Sequence, residues 1–95
     1  TEEWDLIAYS YDASFSSALR PGVPDVVVQP DTTEEVAEAV KVAAKYRVPI
    51  IPRAGASAMT GGSVPRAGGI TIDLRRMNRV LEIDLDNLQV LCEPG

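Results

Sequence analysis

The chain contains no histidine. An imidazole base, a zinc–histidine site and a Ser–His–Asp triad are therefore all excluded within these residues. A single cysteine, Cys92, cannot close an internal disulfide, which fits a reducing compartment. Aromatic residues are scarce, with one Trp, one Phe and three Tyr. No apolar run approaches the roughly 20 residues of a membrane span. The start, Thr1-Glu2-Glu3, lacks the basic head and apolar centre of a signal peptide. Nine basic residues face fourteen acidic ones, for a net charge of −5, so the clustered cations of a nucleic-acid-binding face are missing. These absences predict a cytoplasmic protein, at most peripheral to a membrane. They also predict that the 95 residues hold no self-contained catalytic site and no metal site. Any catalysis would draw on a cofactor or on further polypeptide.

What is present is ordinary globular material, 45% hydrophobic and 24% charged, enough for a thin core. Trp4, Ile7, Ala8 and Tyr11 share one face of a short helix over residues 2–11, expected to cover that core. Residues 12–17 read as a polar loop, and Pro21 to Pro24 as a turn. Residues 25–29 form a β-branched run expected as a strand buried on both faces. Thr32 and Glu35 have capping-box spacing. Behind them Val36, Ala39, Val40, Ala43 and Ala44 form an apolar stripe, with acids early and lysines late, which predicts a helix over 33–46. Residues 47–53 are a second strand, whose prolines place it at an edge or end. Strand, helix and strand make a βαβ unit with parallel strands. After a long loop, residues 70–74, 80–84 and 88–93 read as three more strands, the last two joined through Asp86-Asn87. The expected fold class is α+β, with helices packed on a small mixed sheet.

Residues 54–69 are almost all Gly, Ala, Ser, Thr and Pro, and longer than most connections. Small side chains let main-chain N–H groups approach an anion, Ser57 and Thr60 add hydroxyls, and Arg53 adds a charge at the entrance. Together these suit a pyrophosphate. Neither the P-loop ending nor G-x-G-x-x-G is present. From the residues alone, a non-catalytic α/β module that binds an anion or a partner, or a loop whose glycines merely turn the chain, remain open. Arg75 and Arg76 read as a solvated turn, Asp84 and Asp86 as hairpin solvation rather than a metal site, and Cys92 as a small core residue. Trp4, Tyr9, Tyr11 and Tyr46 read as packing residues, with Tyr9 or Tyr11 placed near any bound ligand.

The blocks Pro24-Asp25-Val26-Val27-Val28-Gln29-Pro30, Thr33-Glu34-Glu35-Val36 and Val48 to Gly62, followed by Gly69 to Leu81, resemble the FAD-linked oxidase family. Its flavin domain is called the vanillyl-alcohol-oxidase or PCMH type. The resemblance points to the branch holding the glycolate oxidase D subunit and D-lactate dehydrogenases. It implies a two-lobed FAD domain: residues 1–53 as first lobe, with the N-terminal helix and βαβ unit, 54–69 as pyrophosphate loop, and 70–95 as the start of the second lobe. The loop positions that match are Arg53, Ala54, Gly55, Ala56, Ser57, Ala58, Thr60, Gly61 and Gly62. Ala54 and Ala56 stand where glycines are usual in the family, and Ala58 where Ser or Gly is usual. Some relatives link FAD through a histidine in this loop; the matching position is Ser57, which implies non-covalent FAD. The implied parent oxidises a small 2-hydroxy acid such as glycolate, D-lactate or D-2-hydroxyglutarate. The 95 residues alone are expected to be inactive, with FAD and the rest of the parent as partners, and self-association through an exposed edge strand of the last hairpin.

Overall fold

A computed structural model describes residues 3–95. The order is α1 (Glu3–Ile7), α2 (Phe15–Leu19), β1 (Val26–Val28), α3 (Thr33–Tyr46), β2 (Ile50–Arg53), β3 (Ile70–Asp73), β4 (Val80–Asp84) and β5 (Gln89–Cys92). The chain is α+β, and its strands divide into two small sheets. β1, β3 and β2 form a parallel sheet in that spatial order, and β4 pairs antiparallel with β5.

Helix α3 has the expected bounds. Thr32 caps it, its hydroxyl accepting from Glu35 N–H, and the Glu35 carboxylate accepts from Asp31 N–H at 2.6 Å. Arg47 ends the helix in the left-handed conformation, φ 52°. That moves the start of β2 to Ile50, three residues later than expected.

The two strands of the βαβ unit are parallel but not neighbours. β3 inserts between them, with Val27, Thr71 and Ile51 in one row. β1 is therefore an edge strand rather than one buried on both faces, and Val26 is exposed. β3 takes the centre, with Thr71 and Asp73 fully covered. Its entry demands glycine at residue 69. Gly69 has φ 90°, and a Cβ there would lie 2.4 Å from the Pro49 carbonyl, which accepts from Ile70 N–H.

The N-terminal third departs most from expectation. α1 ends at Ile7, and its predicted first residue, Glu2, lies outside the described residues. Five helical residues are too few to lay a stripe on a core, so Trp4 and Tyr11 are exposed, as is Tyr46 at the end of α3. Within the supposed loop, Ser14 caps the short helix α2 by accepting from Ser17 N–H at 3.2 Å. The apolar core is small: Ala43 of α3, Ile72 of β3, Val64 and Met77. Under α3, a groove of 530 Å³ lined by Val28, Ala39, Val42 and Ile70 stays open. Cys92 is exposed rather than in the core, because both faces of the β4–β5 hairpin are uncovered. The hairpin is fastened at its base, where Arg79 pairs with Glu93 at 2.7 Å and Gly95 N–H donates to the Met77 carbonyl.

Candidate functional site

Side chains alternate across a strand, so register decides which residues share a face. Val27, Ile51 and Thr71 share one face of the parallel sheet. Continuing each strand by two residues brings Gln29, Arg53 and Asp73 together at its C-terminal end. This is where open parallel sheets place their ligands.

Asp73 is the centre of that end. Its carboxylate accepts from the Tyr9 hydroxyl (2.7 Å), the Gln29 amide (3.0 Å), and Nε and Nη2 of Arg75 (2.9 and 2.6 Å). Burial alone would raise the Asp73 carboxyl. The Arg75 guanidinium, the Tyr9 hydroxyl and the Gln29 amide outweigh it and hold the carboxyl far below its ordinary value. Burial and the bond to Asp73 push the Tyr9 hydroxyl up. Asp73 in turn raises Arg75. Arg75 is thus part of an ion pair rather than of a solvated turn. Arg76, its neighbour, pairs with Asp31 at 2.8 Å.

Arg53 is 9% exposed and bonded to main-chain carbonyls. It donates to Tyr11 O at 2.7 Å and Ala8 O at 3.4 Å, and its guanidinium lies over the Tyr9 ring. Its side chain therefore anchors the N-terminal segment to the mouth of the loop. Tyr9 and Arg75 line a cleft of 130 Å³ together with Arg53, Ala54, Gly55 and Ala56.

Beyond Arg53 the loop has no regular structure until β3. Among the described residues, no main-chain N–H from Gly55 to Gly62 donates to a protein acceptor, while those of Ser63, Val64, Arg66, Gly68 and Gly69 do. The hydroxyls of Ser57 and Thr60 are exposed and make no bond to those residues. Ala56 takes φ 57°, a conformation that costs a non-glycine residue about 1–2 kcal/mol, whereas Ala54 does not. Of the two alanines at positions where the family usually has glycine, only Ala56 carries this strain. Gly55 and Gly62 show the opposite pattern. Neither has positive φ, and a Cβ at either would meet nothing within 4 Å. Nothing in the chain itself demands glycine at these two positions. A molecule pressed against the backbone would, and the free N–H groups beside them fit an anionic group such as a pyrophosphate.

The comparisons with known proteins agree with this chemistry. Residues 24–95 match the model of a family described as FAD binding domain. The chain belongs to that family. Its cofactor is FAD, and the FAD-linked oxidase resemblance drawn from the Pro-Arg loop and the strand pattern holds. Glycolate oxidase subunit GlcD of Bacillus subtilis is 36% identical over 89 residues, covering 94% of this chain and 18% of the relative. The mitochondrial D-lactate dehydrogenase [cytochrome] of Arabidopsis thaliana is 39% identical over 82 residues, covering 86% of this chain and 14% of the relative. A solved structure of alkyldihydroxyacetonephosphate synthase superimposes with a TM-score of 0.76 at 32% identity, over 94% of this chain and 19% of that one. The chain thus spans less than a fifth of the curated relatives' length. No described helix is long and apolar enough to cross a membrane.

Sequence reasoning found the loop and missed the cluster beside it. The signal for Asp73 was a carboxylate ending an otherwise apolar strand, since buried acids are rare unless paired. Asp84, read as hairpin solvation, accepts from the main-chain and side-chain amides of Asn87 and so braces its own turn.

Proposed function

We propose that this chain is the pyrophosphate-binding part of a flavin-dependent oxidoreductase acting on a small 2-hydroxy acid, with FAD held non-covalently. The unpaired N–H run from Gly55 to Gly62 is the observation that carries the reading. Main-chain donors of Ala54, Gly55, Ala56, Ser57, Ala58, Gly61 and Gly62 and the hydroxyls of Ser57 and Thr60 would hold the diphosphate, while Arg53 anchors the loop's entrance. When bound, the flavin supplies the redox chemistry, and the protein positions it.

The substrate class rests on two relatives named as a glycolate oxidase subunit and a D-lactate dehydrogenase. The lobe boundary expected before residue 70 moves to after β3, which is the central strand between β1 and β2: the parallel sheet through Asp73 belongs to the first lobe, and the β4–β5 hairpin begins the second. The 95 residues alone do not turn over substrate in this reading, since they span less than a fifth of the length of the relatives that carry out the reaction. The exposed Cys92 thiol fits a reducing compartment such as the cytoplasm.

The test is FAD affinity, measured by flavin fluorescence in the polypeptide that carries this chain. Gly55→Val and Gly62→Val fill open space in the protein, so the melting temperature should stay within about 2 °C. FAD affinity should fall at least about tenfold, and ADP affinity with it. Unchanged FAD affinity in both variants would remove the loop from the cofactor site.

A further inference from the structure

Three consecutive residues before α2 hold the loop at three points. Tyr11 offers its carbonyl to Arg53 at the loop's entrance. Ala13 N–H donates at 3.1 Å to the carbonyl of Ala56, the strained residue near the start of the loop. Asp12 reaches the far foot, where its Oδ2 accepts from Ser63 N–H at 3.4 Å. Its other carboxylate oxygen accepts from Ser14 N–H at 2.8 Å, and its carbonyl accepts from the Ser17 hydroxyl at 3.2 Å. Asp12 is 9% exposed. Hydrogen bonds from Ser14 and Ser63, outweighing burial, hold its carboxyl below the ordinary value. Among the described residues, no hydrogen bond joins it to the cluster around Asp73.

We propose that Asp12 is a positioning residue for the cofactor loop, its carboxylate tying the turn that starts α2 to the loop's far foot at Ser63. With Ala56 held by Ala13, and with Arg53 at the near foot also donating to the Ser63 carbonyl at 3.5 Å, the N–H groups of residues 55–62 stand arranged before any ligand arrives. This rests on the assignment of that loop to the FAD diphosphate. It adds that Asp12 touches no part of the ligand and acts through the loop's conformation. The loop's own residues supply few internal restraints, so without the tie the bound shape has to be ordered at the expense of binding energy.

Asp12→Asn tests this. The amide keeps one oxygen for Ser14 N–H and turns an NH2 group toward Ser63 N–H, placing donor against donor. The control is Ser17→Ala, which removes the bonds from the Ser17 hydroxyl to the Asp12 and Ser14 carbonyls but leaves the tie to Ser63. Two readouts apply to the polypeptide that carries the chain: FAD affinity, and amide hydrogen exchange without ligand of Ser63 and Ala13, whose N–H groups are bonded at the loop's anchors. We expect Asp12→Asn to speed exchange of these two N–H groups and to weaken FAD about tenfold. Ser17→Ala should lower the melting temperature while leaving both readouts within about twofold. Equal exchange in Asp12→Asn and wild type, or equal losses in the two variants, would overturn the proposal. Exchange in the ligand-free protein judges the tie by itself, so a wrong assignment of the loop, exposed by the Gly55 and Gly62 variants, is told apart from a wrong role for Asp12.

Discussion

The C-terminal end of the parallel sheet and the β4–β5 hairpin are made of comparable strands on opposite terms. At the sheet end, Asp73 is fully buried and its carboxylate is met by Tyr9, Gln29 and Arg75, residues drawn from three parts of the sequence. The hairpin is local, paired across one short turn, and leaves Leu85 79% and Leu88 89% exposed. The first region satisfies itself and can present a rigid rim to a ligand. The second has strand chemistry but nothing to pack against, and two strands alone are marginal in water. Within the proposed function, that uncovered hairpin is where the remainder of the parent enzyme packs, and where isolated copies of the chain would associate.

The largest break in this contrast is Asp73→Ala. It strips the acceptor from Tyr9 and Gln29 and leaves Arg75 unpaired, for an expected loss of about 2–3 kcal/mol in denaturant unfolding. Leu88→Ser in the hairpin turn should change stability by less than about 0.5 kcal/mol and reduce association in sedimentation. Equal losses at the two sites would erase the distinction.

A second test is pH. Asp73 is depressed in the fold, so its contribution is full above the unfolded Asp value of about 3.9 and is lost as pH falls below it. Tyr9 is raised, so its contribution is present below about pH 10 and is lost as pH rises through the folded value. Melting temperature should therefore hold between about pH 5 and 9 and fall on both sides. Tyr9→Phe should flatten the alkaline limb and reduce the acid one only in part, since Arg75 and Gln29 still hold Asp73 down.

A further expected effect, a gain in stability, concerns a place where the sheet is not self-satisfied. The Thr71 hydroxyl, in the centre of β3, is buried without a partner among the described residues. Thr71→Val keeps the shape and removes the unpaired group, with an expected gain of about 1 kcal/mol in unfolding free energy.

Much of this was legible in the sequence, and the failures share a cause. Helix α3 could be read because its cap, stripe and charge order lie within one local stretch. The small-residue loop could be read from composition. The central place of β3 could not, because a βαβ unit gives parallel strands but not adjacency, and the inserting strand comes after a long loop. The bonds of Arg53 were misjudged for a similar reason. A charge at a loop entrance suits an anion, yet this one is taken by the Tyr11 and Ala8 carbonyls, more than forty positions away. Helix α2 was missed because its Ser-rich turn reads as loop unless Ser14 is recognised as a cap. Cys92 and the aromatic residues were placed in a core that this stretch of chain does not enclose.

The central claim is that the free N–H groups of residues 55–62 hold the FAD diphosphate. Amide hydrogen exchange of the loop, in the polypeptide that carries this chain, tests it most directly when followed with saturating FAD and without it. The account predicts that exchange across 55–62 slows sharply on binding, and slows also with ADP, which shares the diphosphate. FAD bound at saturation with exchange across 55–62 unchanged would contradict it.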